Sequence, residues 1–389
     1  MPTTKLKNAA YRFLIPLKSP RLGKETEFIE QGRPLITFDQ YRHFLRKHHV
    51  MGSACLVADE NEQACIISSS DHPKHIVARN SLFRVASITK MASALTVLKA
   101  VEEEKLDLET PIQDLLPENM LCPELQDVLI IQLLSHTSGL IDPPNLENAL
   151  LNGIPFPDLM KGSLRDKSQK PFHYSNLGYG LLGCLLEAAY NQPVSDIVRE
   201  KVFKPLEMNA TLEASSLDPG NIVPITRILP FDPKNEIVIT ELGKIPLNKP
   251  DPLRHYGHTA GAMYTDIDSL HKLMKCIMKD GKPVLESNIG RKMKEDYAAY
   301  GKLDKKLFYG LGLLIIRDPN ISESRILGHQ GFAYGCADGA FWEEDTGRMI
   351  IFLNGGASEA RVGRLGLCNR DLLRWAMRKE LPKWSVLQK

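Results

Sequence analysis

The spacing of the apolar residues changes twice along the chain. Phe38–Arg46 has apolar residues at helical spacing, and Ser53–Ala58 and Gln63–Ser68, which flank a short polar stretch, predict a hairpin of two strands. Over Ser87–Val101 the spacing is helical again, and strand character returns only after Gly261. The pattern therefore predicts strands near both ends of the chain and helices between them.

The predicted middle of the chain is a series of helices, and the predicted last part is mainly strands. The further helices are Ile131–Leu134, Leu177–Tyr190 and Val194–Phe203. The later strands are Leu311–Ile316, Gly339–Trp342 and Arg348–Leu353, before a closing helix at Arg361–Lys379. This order predicts an α+β fold, in which both ends of the chain build one sheet and a helical domain is inserted. The predicted divisions are an N-terminal extension at 1–36, a sheet domain at 37–82 and 258–389, and a helical domain at 83–257.

Composition and charge narrow the class of protein. The chain has 389 residues, of which 43% are hydrophobic and 25% charged, as is ordinary for a globular enzyme. The formal net charge of +2 gives no electrostatic reason to expect a nucleic acid or an anionic membrane as partner. No stretch is long and apolar enough to cross a bilayer, and the N-terminus does not resemble a signal peptide.

The cysteines point to a reducing compartment. There are seven, an odd number, and they are scattered through apolar runs. This arrangement favours reduced thiols, and with the missing signal peptide it predicts a cytoplasmic protein. The cysteines have no spacing typical of a metal site, and the sequence has no HExxH motif. We therefore expect neither a metal nor a cofactor.

A Ser-x-x-Lys motif stands at the start of the helix predicted over Ser87–Val101. Residues three apart share a helix face, so Lys90 can reach the hydroxyl of Ser87. A serine hydroxyl needs such a neighbouring base before it can attack an acyl group. The pattern is weak alone, because Ser269–Lys272 repeats it.

Four segments together resemble the serine β-lactamase and penicillin-binding-protein family, in its class C and carboxylesterase-like branch. In chain order they are Phe83–Lys90, Leu133–Leu140, Phe172–Asn176 and His329–Gly331. The family has a Ser-x-x-Lys motif, a signature loop, a Tyr-x-Asn motif and a Lys-Thr-Gly or His-x-Gly element in this order. The resemblance spans roughly 37–373 and implies the family's fold, an antiparallel sheet flanked by helices with a helical insertion.

The order of the motifs favours Ser87 over Ser269 as the nucleophile. Three other features of the sequence are interpreted as structural. Ser269–Lys272 follows the tyrosine motif, so we interpret it as the solvated face of a helix. Gly178–Gly183 satisfies the GxGxxG pattern of dinucleotide sites but lacks the preceding strand. Its glycines are expected to let the helix after Tyr174 closely approach the helix that carries Ser87. His136 and Ser138, in the signature loop, are expected to satisfy that loop's own backbone.

The resemblance and the chemistry of acyl transfer together assign roles to four side chains. Ser87 attacks a carbonyl group and becomes acylated, and Lys90, with its pKa lowered by burial, accepts the serine proton. Tyr174 is expected to be a second proton carrier whose anion is favoured by the Lys90 ammonium. Asn176 is expected to hold Lys90 and the acyl group of the substrate.

The third motif supplies the rest of the predicted site. The oxyanion hole is expected to consist of the N–H groups of Ser87 and Phe332, and Gly331 is expected to leave room for substrate along its strand. His329 either binds substrate, shifts the proton equilibrium of the site, or holds the strand edge. Because histidine is mostly neutral at pH 7 where the family often has lysine, a substrate carboxylate is less favoured.

These residues predict a serine hydrolase that acts on small-molecule esters or amides through an acyl-enzyme. Transfer of the acyl group to another nucleophile is an open alternative. A sensor or binding protein that is acylated without turnover, or is never acylated, is a second alternative. The complete set of Ser87, Lys90, Tyr174 and Asn176 favours catalysis.

Overall fold

The computed structural model describes residues 22–31, 38–61, 63–70, 76–168, 172–226, 246–333 and 335–377. Of the predicted N-terminal extension, only the backbone of one strand lies within these ranges. The last residues of the predicted closing helix lie outside them.

Within this part of the chain, nine strands form one antiparallel sheet. Their order is β1-β3-β2-β12-β11-β10-β9-β8-β7. The strands are β1 (Leu22–Gln31), β2 (Ser53–Ala58), β3 (Gln63–Ser70), β7 (Ala298–Ala299), β8 (Leu307–Tyr309), β9 (Leu314–Ile316), β10 (Ile326–Ala333), β11 (Cys336–Glu343) and β12 (Met349–Asn354). Early strands pair with late ones, since β2 lies beside β12 in register from Ser53↔Asn354 to Ala58↔Met349. The prediction of one sheet built from both ends of the chain is therefore confirmed.

Helices cover both faces of this sheet. Alternate residues of β12 point to opposite sides, so Phe352 packs with α1 (Phe38–Lys47) and α10 (Leu367–Met377), whereas Ile351 packs with the larger helical cluster. Because both faces are covered, β2 and β12 are buried along their whole length instead of alternating between buried and exposed residues. The predicted α+β class is confirmed.

The middle of the chain supplies most of the other helices. They are α2 (Thr89–Glu102), α3 (Ile130–Leu134), α4 (Leu146–Leu151), α5 (Phe156–Met160), α6 (Asn176–Tyr190), α7 (Val194–Val198), α8 (His258–Gly261) and α9 (Ile267–Met278). A π-helical turn, Arg199–Phe203, continues α7. A small sheet of β4 (Phe83–Arg84), β6 (Tyr264–Thr265) and β5 (Ala210–Thr211) lies at the base of α2, and β13 (Arg361–Val362) pairs with β14 (Leu365–Gly366).

Two of the predicted elements are wrong in extent. The closing helix was expected from Arg361, but the chain first forms the β13–β14 hairpin and the helix begins at Leu367. Gly363 has a φ of +61°, a left-handed backbone that favours a turn over a helix. The strand expected at Leu311–Ile316 begins only at Leu314, since Gly312 also has a positive φ, +76°.

The two misleading motifs also differ from expectation in detail. Asp266 caps α9 by accepting a hydrogen bond from the N–H of Ser269, as the sequence indicates. However, Ser269 is buried and its Oγ accepts a hydrogen bond from the N–H of Asn209. It therefore lies on the inner face of α9, and only the Lys272 end of the motif is exposed.

The glycines of α6 allow a close approach to the segment that begins α8, and not to α2 as expected. A Cβ on Gly180 would lie 1.6 Å from the carbonyl oxygen of Tyr256, and one on Gly183 would lie 2.8 Å from Oγ1 of Thr259. All seven cysteines fall in the described ranges, and none of them forms a disulfide there. No helix in those ranges is both long enough and apolar enough to cross a membrane.

Candidate active site

Ser87 lies in a turn of 3₁₀ helix, Ala86–Ile88, directly before α2. The turn is constrained: Ala86 has a φ of +45°, and its carbonyl accepts a hydrogen bond of 2.6 Å from the hydroxyl of Thr89. The N–H of Val85 is tied to the carbonyl of Met263 at 3.0 Å. A non-glycine residue at positive φ carries strain that its surroundings must hold. The turn leaves Ser87 half-buried at the head of a buried helix.

Lys90 is fully buried one turn later, and its amine meets three oxygens. Its Nζ lies 2.7 Å from the carbonyl of Ala260, 2.9 Å from Oδ1 of Asn176 and 3.2 Å from Oγ of Ser87. Burial lowers the pKa of Lys90 from 10.5 to about 7, against the opposing effect of the Asp142 carboxylate. A neutral amine has two N–H groups and one lone pair. The two fixed acceptors match the N–H groups, so the lone pair is directed to the serine hydroxyl.

Tyr174 lies beside this pair, with its ring centroid 5.0 Å from Nζ of Lys90. Burial raises the pKa of Tyr174 well above 10, and the interaction with the Ser87 hydroxyl lowers it by less. The expectation that the pKa of Tyr174 is lowered, so that its anion is favoured, is therefore wrong. A permanently charged Lys90 would favour the tyrosinate, but burial leaves that amine about half neutral at pH 7 and largely neutral only above that pH.

Asp142 fixes the segment that follows Tyr174, and the sequence analysis missed it. Its carboxylate accepts hydrogen bonds from the hydroxyl of Ser175 at 2.6 Å and from the N–H groups of Asn176 at 2.9 Å and Leu177 at 3.1 Å. Ser175 is the N-cap of α6, and its Oγ accepts from the N–H of Gly178. A carboxylate is favoured at a helix N-terminus, but it comes here from a loop more than 30 residues earlier. No local signal in the sequence could have identified it.

His329 is buried in β10, and both of its ring nitrogens have partners within the protein. Nδ1 lies 2.7 Å from the carbonyl of Gln330 and must donate to it, so Nε2 of the neutral ring accepts from the Tyr309 hydroxyl at 2.9 Å. Burial, and to a smaller extent the nearby Lys90, lower the pKa of His329 to about 3. The ring therefore has no nitrogen left for substrate, and holding the strand edge is the alternative that fits this geometry.

The edge of β10 beyond Gly328 faces the Ser87 turn. Strand β9 pairs with β10 only as far as Gly328. The N–H of Ala337 is directed to β12, where it donates to Oδ1 of Asn354. Phe332 pairs with Ala337, so the alternation of an antiparallel ladder directs the N–H of Phe332 away from β11. A Cβ on Gly331 would lie 2.4 Å from the carbonyl oxygen of Val85. Gly331 thus makes room for the Ser87 turn, and not for substrate as expected.

The β13–β14 hairpin forms a rim beside this edge. The side chain of Gln330 holds it at two points: Nε2 donates to the carbonyl of Arg364 at 2.8 Å, and Oε1 accepts from the N–H of Gly366 at 2.9 Å. The guanidinium of Arg361 lies 4.6 Å from the ring centroid of Phe332. The apolar spacing of the sequence predicts a helix at this arginine and indicates no role for it.

One protein family and several curated proteins match parts of this chain. The Beta-lactamase family matches residues 38–364. Protein flp of Staphylococcus aureus strain MW2 is 28% identical over 181 residues, 43% of this chain and 36% of that protein. A putative fimbrial assembly protein FimD of Dichelobacter nodosus is 33% identical over 131 residues, 31% of this chain and 32% of that one. The chain spans about a third of the length of these curated relatives.

Solved structures share the fold at low sequence identity. D-amino acid amidase from Ochrobactrum anthropi SV3 has a TM-score of 0.66 at 21% identity, and the match covers 84% of this chain and 94% of that one. A penicillin-binding protein from Bacillus halodurans has a TM-score of 0.65 at 19% identity, with coverage of 85% and 97%. A D-stereospecific amidohydrolase from Streptomyces sp. has a TM-score of 0.63 at 19% identity, with coverage of 80% and 92%.

Proposed function

The chain belongs to the Beta-lactamase family, and on that premise we propose that it hydrolyses small esters or amides through an acyl-enzyme on Ser87. The family and the fold are those of serine hydrolases. The observation that carries the proposal is the environment of Lys90. A lysine at a pKa of about 7, with its amine 3.2 Å from Oγ of a half-buried serine, is a base matched to neutral pH.

In the proposed acylation, neutral Lys90 takes the hydroxyl proton as Oγ of Ser87 bonds to the carbonyl carbon. The carbonyl oxygen becomes an oxyanion, which the N–H groups of Ser87 and Phe332 stabilise. Tyr174 donates its phenol proton to the leaving alcohol or amine, the bond to the leaving group breaks, and the Lys90 proton returns to the tyrosine. Asn176 holds the Lys90 amine and donates its amide N–H to the acyl oxygen.

In the proposed deacylation, water replaces the leaving group and the same groups act in reverse. Neutral Lys90 takes the phenol proton of Tyr174 as that oxygen takes a proton from the attacking water, and the resulting hydroxide bonds to the carbonyl carbon. The bond from the carbonyl carbon to Oγ of Ser87 then breaks, and Lys90 returns its proton to Oγ. A carboxylic acid leaves, and the enzyme is restored. Another nucleophile that reaches the acyl group before water would give transfer instead of hydrolysis.

The comparisons support amides and esters as the substrate class without naming a substrate. The amidase and amidohydrolase neighbours are named for D-amino acid amides and for D-stereospecific hydrolysis, and that likeness carries only the fold. His329 brings no charge to the site, because its ring is neutral and both nitrogens are engaged. We therefore propose that His329 does not select the acyl group by charge.

Covalent labelling tests the proposal. Incubation with a fluorophosphonate, followed by mass spectrometry of peptides, should place one adduct on Ser87, and 4-nitrophenyl acetate should be turned over. Ser87→Ala should abolish both. Ser269→Ala is the matched control, since it removes the hydroxyl of the second Ser-x-x-Lys sequence and should leave the label on Ser87.

The outcome also separates enzyme from sensor. A label that survives in Ser87→Ala contradicts the proposed nucleophile. A stable adduct formed from 4-nitrophenyl acetate without turnover contradicts hydrolysis and favours an acylated sensor.

A further inference from the structure

His136 is bonded to the chain on both sides of Tyr174. Its carbonyl oxygen accepts a hydrogen bond of 3.1 Å from the N–H of His173, and its Nδ1 accepts one of 3.2 Å from the N–H of Ser175. The ring centroid of His136 lies 4.3 Å from that of Tyr174. One residue therefore fixes both neighbours of the proposed proton carrier and contacts its ring.

His136 is closed off from solvent, and its ring is neutral. Its ring is 1% exposed, and the aromatic rings of Tyr309 and Tyr179 lie 4.6 Å and 5.0 Å from it. Because Nδ1 accepts a hydrogen bond, the neutral ring carries its proton on Nε2, and that atom is buried without a hydrogen-bond partner. Burial lowers the pKa of His136 well below 6.5, and the nearby Lys90 lowers it further. A charge on this ring would oppose the charge on Lys90.

The backbone of His136 is strained. Its φ is +59°, which is uncommon for a residue other than glycine. A loop can reach that conformation at lower cost with glycine, yet glycine has no side chain to accept the Ser175 N–H. Strained residues with engaged side chains cluster where geometry must be held.

We infer that His136 is a positioning residue, which holds the Tyr174 phenol where it can donate a proton to the leaving group. This inference rests on the proposed function. It differs from the structural interpretation given to the loop, because the ring of His136 does not bond to its own loop. Ser138 does, since its Oγ accepts from the N–H of Leu140 at 3.3 Å.

Two substrates that differ only in their leaving group distinguish a positioning role from a general loss of structure, because a general loss of structure would slow both equally. A nitrophenolate departs without protonation, whereas an alkoxide or an amine needs a proton as it leaves. If His136 acts through Tyr174, His136→Leu should lower the rate of acylation by an ethyl ester at least tenfold more than the rate of acylation by the matching 4-nitrophenyl ester. KM should stay within about threefold, and Tyr174→Phe should show the same pattern.

Three further variants complete the experiment. His136→Asn keeps an acceptor near the position of Nδ1 and tolerates a positive φ, so it should retain most of the ethyl-ester activity. Ser138→Ala, from the same loop, should leave the ratio of the two esters unchanged. The double variant His136→Leu/Tyr174→Phe should lose no more than Tyr174→Phe alone, since coupled residues are not additive.

Equal losses on both esters in His136→Leu, or additive losses in the double variant, overturn the inference. That result is distinct from failure of the proposed function. If Ser87 is not the labelled residue, the proposed function fails; if Ser87 is labelled but His136→Leu behaves like Ser138→Ala, only the positioning role fails.

Discussion

At the scale of the residue, the central fact is a lysine whose charge is removed by its surroundings. At its ordinary pKa, only about 3 in 10,000 Lys90 amines would be neutral at pH 7. With its pKa near 7, about half are neutral at that pH. Burial supplies this change, and the carbonyl of Ala260 and the amide of Asn176 supply acceptors that suit a neutral amine.

The rate of acylation should therefore rise with pH through about 7. Below that pH Lys90 is protonated and cannot accept the Ser87 proton, so the rate should fall about tenfold per pH unit at the acid end. The measurement is the pH dependence of the pre-steady-state burst with 4-nitrophenyl acetate. Lys90→Arg keeps a cation but lacks a titratable amine, so it should be inactive at every pH. A flat profile between pH 6 and 8 in the native chain would contradict the role of Lys90.

The sequence identifies these residues but not their charge states. Ser87, Lys90, Tyr174 and Asn176 stand in motifs whose order can be read directly, and the structure brings the four side chains together. Burial is a property of the fold, so the direction of the Tyr174 pKa could not be read from its neighbours in sequence. Asp142 could not be identified either, because it reaches the start of α6 from a loop more than 30 residues earlier in the chain.

At the scale of the element, the critical contact is between strand β10 and the Ser87 turn. Gly331→Ala would place a Cβ 2.4 Å from the carbonyl oxygen of Val85, a backbone atom that can move only if the turn moves. We expect the acylation rate of Gly331→Ala to fall at least tenfold, because the turn and the oxyanion strand would separate.

A second glycine provides the control. A Cβ on Gly178 meets nothing closer than 3.4 Å, and alanine is favoured over glycine within a helix, so Gly178→Ala should keep its acylation rate and its melting temperature. The measurements are the burst rate and a thermal melt of each variant. An acylation rate of Gly331→Ala equal to that of the native chain would show that the contact does not position the site.

The bounds of helices and strands are predicted most accurately where one spacing of apolar residues continues through the whole element. Helix α2 and strands β2 and β12 lie within a residue or two of their predicted bounds. The β13–β14 hairpin was missed because its two short strands carry too few residues to show an alternation, and the apolar residues that follow have helical spacing.

At the scale of the whole molecule, the fold adds a charge that no motif contains. His329 on strand β10, taken alone, predicts a third motif without a cation. In the folded chain, Gln330 holds the hairpin that carries Arg361 against the same strand. Arginine keeps its charge in proteins, so a guanidinium lies beside Phe332 at the rim of the site.

This charge should be visible in the choice of substrate. Arg361→Gln should lower kcat/KM for 4-nitrophenyl hemisuccinate, which carries a carboxylate, about fivefold relative to 4-nitrophenyl acetate, as expected for an interaction of about 1 kcal/mol across solvent. Arg317→Gln is the control. Arg317 directly follows β9 and makes a similar contact with the ring of Phe308 on β8. If Arg361→Gln changes both esters equally, the guanidinium packs on Phe332 without acting on substrate, and the neutral site predicted from His329 is correct. If only the hemisuccinate is affected, the charge preference of the site is set by a hairpin that lies outside every recognisable motif.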